Sequence, residues 1–229
     1  PREIRVERNR GQNTAYAGLH PIKSNRDNRY NGTGSMHLMI LARLGVVLTL
    51  IAHVTALSLG GHDAIETPIS QLSRTTFGLV HTMGLVALAG AWVCLALQLR
   101  GRTDGWLWLL AWMVLLACVP LLLFVAFYFS TANPGQLAGP DANDPLAALA
   151  CVIGVAMGAF QPGLKHLAPR LAAINLLVLV LWLGAIPVIP FLADGWIGAY
   201  ERSLGALLLL WTLMMSFVSD VEVEKRSTK

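Results

Sequence analysis

The sequence predicts an all-α protein, a polytopic transmembrane bundle of six helices with both termini on the cytoplasmic side. Three observations lead there. The 229 residues are 55% hydrophobic and only 13% charged, about half the charge of an average soluble domain. The apolar residues gather in six runs, each near the roughly 20 residues that cross the hydrocarbon core of a bilayer. The basic residues fall almost entirely on one side of those runs, as the positive-inside rule requires. This composition argues against a soluble domain, a disordered chain and a nucleic-acid binder.

The first 35 residues stand apart. Arg2, Arg5, Arg8, Arg10, Lys23, Arg26 and Arg29 face only Glu3, Glu7 and Asp27, and no apolar period appears. The stretch 1–35 reads as a disordered basic arm. Met36 stands directly before the first run and is a candidate start, in which case the arm lies outside the mature protein. The transmembrane domain is expected over 36–219 and a cytoplasmic tail over 220–229.

The runs are taken in order as 37–58, 76–99, 106–130, 145–163, 171–193 and 197–219. Their length and lack of alternation exclude membrane strands. Arg43 followed by Leu44–Ala52 also fits a signal peptide, whose cleavage would leave five helices in the same orientation. Thr75 or Ser73 is expected to cap the second helix. Pro120 is expected to kink the third helix, and Pro187 and Pro190 the fifth, since neighbours in a membrane can satisfy the freed backbone groups. Ala150, Gly154 and Gly158 in the fourth run repeat every four residues and predict a close helix contact. Fifteen of the 17 Lys and Arg lie on the side of the termini; only Arg74 and Arg202 lie opposite. The protein is expected in the inner (plasma) membrane of a cell, as a multi-pass protein. Trp106, Trp196, Tyr128 and Tyr200 sit at the expected interfaces.

Ionisable groups inside membrane helices are costly and need a partner or a role. His53 stands about six residues past the middle of the first run, and His81 about six before the middle of the second. At 1.5 Å per residue both lie roughly 9 Å from the midplane, in one outward layer. Thr49, His53 and Ala56 share one helix face; Gly78, His81, Thr82 and Leu85 share another. Glu201 and Arg202 reach nearly the same depth. The first outer loop adds His62, Asp63, Glu66 and Ser70 above them. Three readings stay open for this cluster: interhelical hydrogen bonding, a divalent-metal site of imidazoles and carboxylates, and a pocket for a substrate or proton path. The metal reading matches no ligand spacing, and two histidines do not carry a haem site, so no cofactor is assigned. Cys94, Cys118 and Cys151 are odd in number, lack C-x-x-C spacing and lie in apolar runs, so they behave as small hydrophobes.

No H-E-x-x-H, G-x-S-x-G or P-loop pattern occurs, so no catalytic residue is assigned. An enzyme at the outer surface through Ser70, His62 and Glu66 is a further alternative. The leading expectation is a non-enzymatic accessory or lipid-associated membrane component whose partners are membrane lipid and other membrane subunits. The main alternative is a small-solute transporter or channel using His53, His81, Glu201 and Arg202.

The segment ETPISQLSR (66–74), and the pair Glu201-Arg202 followed by Trp211, resemble the prokaryotic membrane family catalogued as domain of unknown function 998. The matching positions are Pro68, Ile69, Ser70, Leu72, Glu201 and Arg202, and the resemblance covers about residues 38–219. It implies a six-helix membrane fold and no assigned activity. The chain departs from the pattern at Asp144-Pro145, where the resemblance leads one to expect a histidine.

Overall fold

A computed structural model describes residues 27–61, 63–100, 106–131, 144–191 and 194–218. The chain divides into two units, Pro1–Gly34 and Ser35–Lys229. In the first unit the described residues, from Asp27 onward, are helical; residues 1–26 of the expected arm lie outside the described residues, as does the expected tail over 220–229.

Every element among the described residues is helical. α1 spans Asp27–Leu59, α2 Ile69–Leu72, α3 Gly78–Leu99, α4 Trp106–Thr131, α5 Asp144–Leu167, α6 Pro169–Ala185 and α7 Ile197–Ser216. Five stretches are long and apolar enough to cross a membrane: Met36–Leu59, Gly78–Leu99, Trp106–Thr131, Pro145–Leu167 and Pro169–Val188. The protein is therefore an integral, multi-pass membrane protein. α7 adds a sixth helix of 20 residues, long enough at about 30 Å to follow the others but interrupted by Glu201 and Arg202.

The helix ends have local causes. α1 stops where Gly61 adopts φ 66°, the left-handed conformation that glycine takes without steric cost. α3 starts at Gly78, where the chain passes so close to Ser73 that a Cβ would lie 2.0 Å from its carbonyl oxygen. Neither Ser73 nor Thr75 caps this helix: its N-cap is Phe77, without a side-chain bond. The Thr75 hydroxyl instead donates to Leu72 O at 2.9 Å, closing the turn after α2. Pro187 and Pro190 do not kink the fifth membrane helix. They lie past the α-helical part of that span, which ends at Ala185, in a 3-10 segment, Ile186–Phe191, because a proline lacks the N–H that would continue the ladder. Pro120 sits inside α4, as does Pro162 inside α5.

α3 to α6 pack as successive neighbours, and α7 lies against α3 and α6. The largest fully buried side chains are Trp92 and Trp211, followed by Phe160. Around them the indole N–H groups find acceptors inside the bundle. Trp108 Nε1 donates to Leu99 O at 2.8 Å and Trp112 Nε1 to Ala96 O at 2.7 Å, tying α4 to α3. Trp182 Nε1 donates to Ala150 O at 2.9 Å, tying α6 to α5. Gly154 and Gly158 do face α6, but a Cβ there would meet α6 side chains only at 3.5 and 3.9 Å. The tighter glycine on α5 is Gly163, where a Cβ would fall 2.2 Å from the Trp108 ring.

α1 meets α3 through small residues. A Cβ on Gly45 would lie 2.7 Å from Ala87 O, and one on Gly84 would lie 2.7 Å from the Ala52 Cβ. Between them the Thr49 hydroxyl lies 2.7 Å from Gly45 O and 2.9 Å from Gly84 O. Close backbone approach plus a shared hydroxyl is how helices associate where lipid removes any hydrophobic preference. The opposite face of α1, including Leu44, Val47, Leu48, Ile51 and Val54, is exposed, as suits lipid contact.

Candidate functional site

The polar layer expected from the sequence assembles at one end of α1, α3 and α7. Thr49 and Ala56 are buried on the α1 face that carries His53, and His81 and Thr82 are buried in the first turns of α3. The two imidazoles meet edge to face, with ring centroids 5.4 Å apart and an interplanar angle of 62°. This contact follows from antiparallel neighbouring helices that place each histidine about the same distance from the shared loop.

Glu201 and Arg202 act on that loop. The Glu201 carboxylate accepts the Ile69 N–H at 2.5 Å, at the start of α2. Arg202 Nη1 donates to Ala64 O at 2.7 Å and to Thr67 O at 2.8 Å. The loop can come this close because residue 198 is glycine: a Cβ there would sit 2.5 Å from Thr67 O and 2.7 Å from Ile65 O. The Ala199 N–H completes the seam by donating to Ile65 O at 2.9 Å. The Glu-Arg pair is thus a clasp between the 63–72 segment and α7.

The clasp leaves half of the guanidinium over. Arg202 Nε and Nη2 are buried and have no hydrogen-bond partner among the described residues, and the same holds for His53 Nε2, His81 Nε2 and Thr82 Oγ1. The Arg202 charge acts on both imidazoles and is itself influenced by the Glu201 and Asp63 carboxylates. Four of these atoms, on Arg202, His53 and His81, thus belong to side chains close enough to interact; the fifth, Thr82 Oγ1, is one residue on from His81. Buried polar atoms are nearly always paired, so this layer stands out.

The loop residues divide differently. Asp63 is exposed, and its Oδ1 accepts the N–H of Ile65 at 2.7 Å and of Glu66 at 3.4 Å. That is an Asx-type turn, and it engages the carboxylate locally. Glu66 is exposed on the same turn. Ser70 lies within α2, but its side chain lies outside the described residues, as does His62. Among the described residues, no group of three His, Cys, Asp or Glu side chains comes together as a metal would need.

A second polar layer was not legible as such in the sequence. Asn175 on α6 is fully buried; its Oδ1 accepts the Trp211 Nε1–H at 2.8 Å. Its Nδ2 donates to Met157 O at 2.9 Å and to Gln161 Oε1 at 2.7 Å. Gln161 Nε2 passes the chain on to Ala172 O at 3.0 Å. On the other side of α7, Trp92 Nε1 donates to Thr212 Oγ1 at 3.0 Å, and that hydroxyl donates to Leu208 O at 2.9 Å. The network joins α3, α5, α6 and α7. Its available signal was a single Asn in the fifth run and a single Gln in the fourth.

The far end of α7 carries a third contact. Arg43 Nε donates to Ser216 Oγ at 3.1 Å, and the guanidinium lies 3.9 Å from the centroid of the Phe217 ring. Gln98 Nε2 reaches Ser216 O at 3.4 Å. α7 is therefore held to α1 at its C-terminal end, to the α1–α3 loop at its N-terminal end, and to α3 and α6 between. No family model, no curated protein and no solved structure matches the chain.

Proposed function

We propose that this integral membrane protein is a non-enzymatic accessory or lipid-associated component rather than a conduit. The observation that carries the reading is the layer of Trp92, Asn175, Trp211 and Thr212. Each is at most 1% exposed, and hydrogen bonds join them in two pairs across the helices. A solute path would need polar groups open to water in the middle of the bundle; here the polar groups face one another. The clasp supports the same reading, because it engages Glu201 and one arm of Arg202 with backbone.

The proposal includes the orientation and the family. Both termini face the cytoplasm, on the strength of the Lys and Arg distribution, and the family resemblance implies the inner membrane of a prokaryote. Membership of the family catalogued as domain of unknown function 998 is supported by the pairing of the 66–74 segment with Glu201 and Arg202. A second reading, a transporter or channel with an outward-facing His/Glu/Arg pocket, draws on the atoms of His53, His81, Thr82 and Arg202 that have no partner among the described residues.

Purified protein reconstituted into liposomes separates the two. The expected result is no dissipation of a potassium or proton gradient above protein-free vesicles. Gradient collapse that depends on His53 and His81 would overturn the accessory reading in favour of the conduit.

A further inference from the structure

The unpartnered layer asks for one kind of ligand. Arg202 Nε and Nη2 form one edge of a guanidinium, whose two parallel N–H groups match the oxygens of an oxyanion. Among the described residues both atoms are buried without a partner, while Nη1 is held by Ala64 O and Thr67 O. That clasp fixes the plane of the guanidinium and so the direction of its remaining edge. His81 is 3% exposed and Thr82 4% exposed, and each has a buried atom, Nε2 and Oγ1, that meets no partner among the described residues. His53, whose ring lies 5.4 Å from that of His81, adds a third such atom.

Two carboxylates lie in the neighbourhood. Glu201 Oε2 is occupied by the Ile69 N–H and Asp63 Oδ1 by the Ile65 and Glu66 N–H groups. Neither is hydrogen-bonded to the free edge of Arg202. The edge thus stays available for an external acceptor, and a hydroxyl with an adjacent imidazole can supply further hydrogen bonds. His81 and Thr82 sit in the first turns of α3, about one turn from the loop, a depth that a lipid phosphate at the membrane surface or a small anion from the water can reach.

We propose that Arg202, His81 and Thr82, with His53 beside them, hold a phosphate-type oxyanion at the loop end of α1, α3 and α7. The source is either the headgroup of an anionic phospholipid or free phosphate. The proposal deepens the lipid-associated reading by naming the group that is bound.

The test uses the full chain in nanodiscs. In discs of phosphatidylcholine alone, inorganic phosphate is titrated by calorimetry. In discs containing phosphatidylglycerol, native mass spectrometry counts the lipids retained after release from the disc. Binding of phosphate in the first arm identifies the free anion, and one retained phosphatidylglycerol identifies the headgroup. Either result must then fall at least tenfold in the double variant His81→Phe/Thr82→Val, which leaves the Arg202 clasp in place, and in Arg202→Lys, which keeps the charge but loses the two-pronged edge. If Arg202→Lys does not fold, the double variant decides. No binding of either probe, or a loss below tenfold in the double variant, overturns the proposal. Such a result leaves the accessory reading standing, since that reading rests on the gradient assay and not on this site.

Discussion

Gly84→Leu is expected to separate α1 from the bundle. The residue at position 84 lies where even a Cβ would come within 2.7 Å of Ala52 and 3.5 Å of the Thr49 Cα. A leucine must push the two helices apart or leave its rotamer wells. Forcing extra carbons into a packed contact typically costs about 1–3 kcal/mol. Moving α3 away also breaks the Thr49 bond to Gly84 O, adding about 1 kcal/mol. Unfolding in mixed detergent micelles should therefore show a loss of about 2–4 kcal/mol on those two principles. Gly90 on the same helix is the control. It is exposed, and a Cβ there meets nothing within 4 Å, so Gly90→Leu should stay within about 0.5 kcal/mol of the parent. Equal behaviour of the two variants would mean that the α1–α3 crossing is not held by small residues.

Asn175→Leu is the second large effect. The side chains are close in volume, so the change removes hydrogen bonds more than packing. It strands the Trp211 Nε1–H and Gln161 Oε1, which Asn175 now engages, and removes a second donor from Met157 O inside α5. Leaving a buried polar group unsatisfied costs about 1–3 kcal/mol, and single interhelical bonds inside membranes average nearer 0.6 kcal/mol. A total of about 2 kcal/mol is expected on that basis. Because the penalty comes from stranded partners, Trp211→Phe in the same background should cost less than it does alone. A double-mutant cycle read by unfolding checks this; strictly additive losses would show that Asn175 and Trp211 are not coupled.

The apolar runs were legible because membrane thickness fixes how long an apolar helix must be. Their ends were less so. Pro187 and Pro190 look alike as kinks or as stops, and only the packing of the following segment decides; here Tyr200 OH donates to Ala185 O and holds the chain where α6 ends. The helix also begins at Asp27, inside the stretch read as an arm, although Asn31, Gly32 and Gly34 are poor helix formers.

Depth arithmetic brought His53 and His81 to one level, since two antiparallel helices joined by a loop share a common zero. It could not show that Arg202 would face the loop, because that depends on Gly198 admitting the Ile65 and Thr67 carbonyls. Small-residue spacing pointed to Ala150, Gly154 and Gly158, yet Gly45 and Gly84 meet their neighbours more tightly, with a Cβ at 2.7 Å rather than 3.5 or 3.9 Å. Spacing marks a smooth face on one helix and says nothing of which partner lies against it. The Asn175 network was missed for a related reason. A lone amide in an apolar run acquires meaning only when a tryptophan from a distant helix points at it.

The central claim is that the middle of the bundle is dry and closed, and one accessibility measurement tests it directly. Thr212 is fully buried between Trp92 and the α7 backbone. Thr212→Cys, in a background lacking Cys94, Cys118 and Cys151, is exposed to a membrane-impermeant thiol reagent from each side in turn, with exposed Lys165→Cys as the reference. The structure predicts rapid modification at 165, and none at 212 until the protein is unfolded. Rapid modification of Cys at 212 in the folded protein, from either side, would contradict the account and put a water path through the bundle.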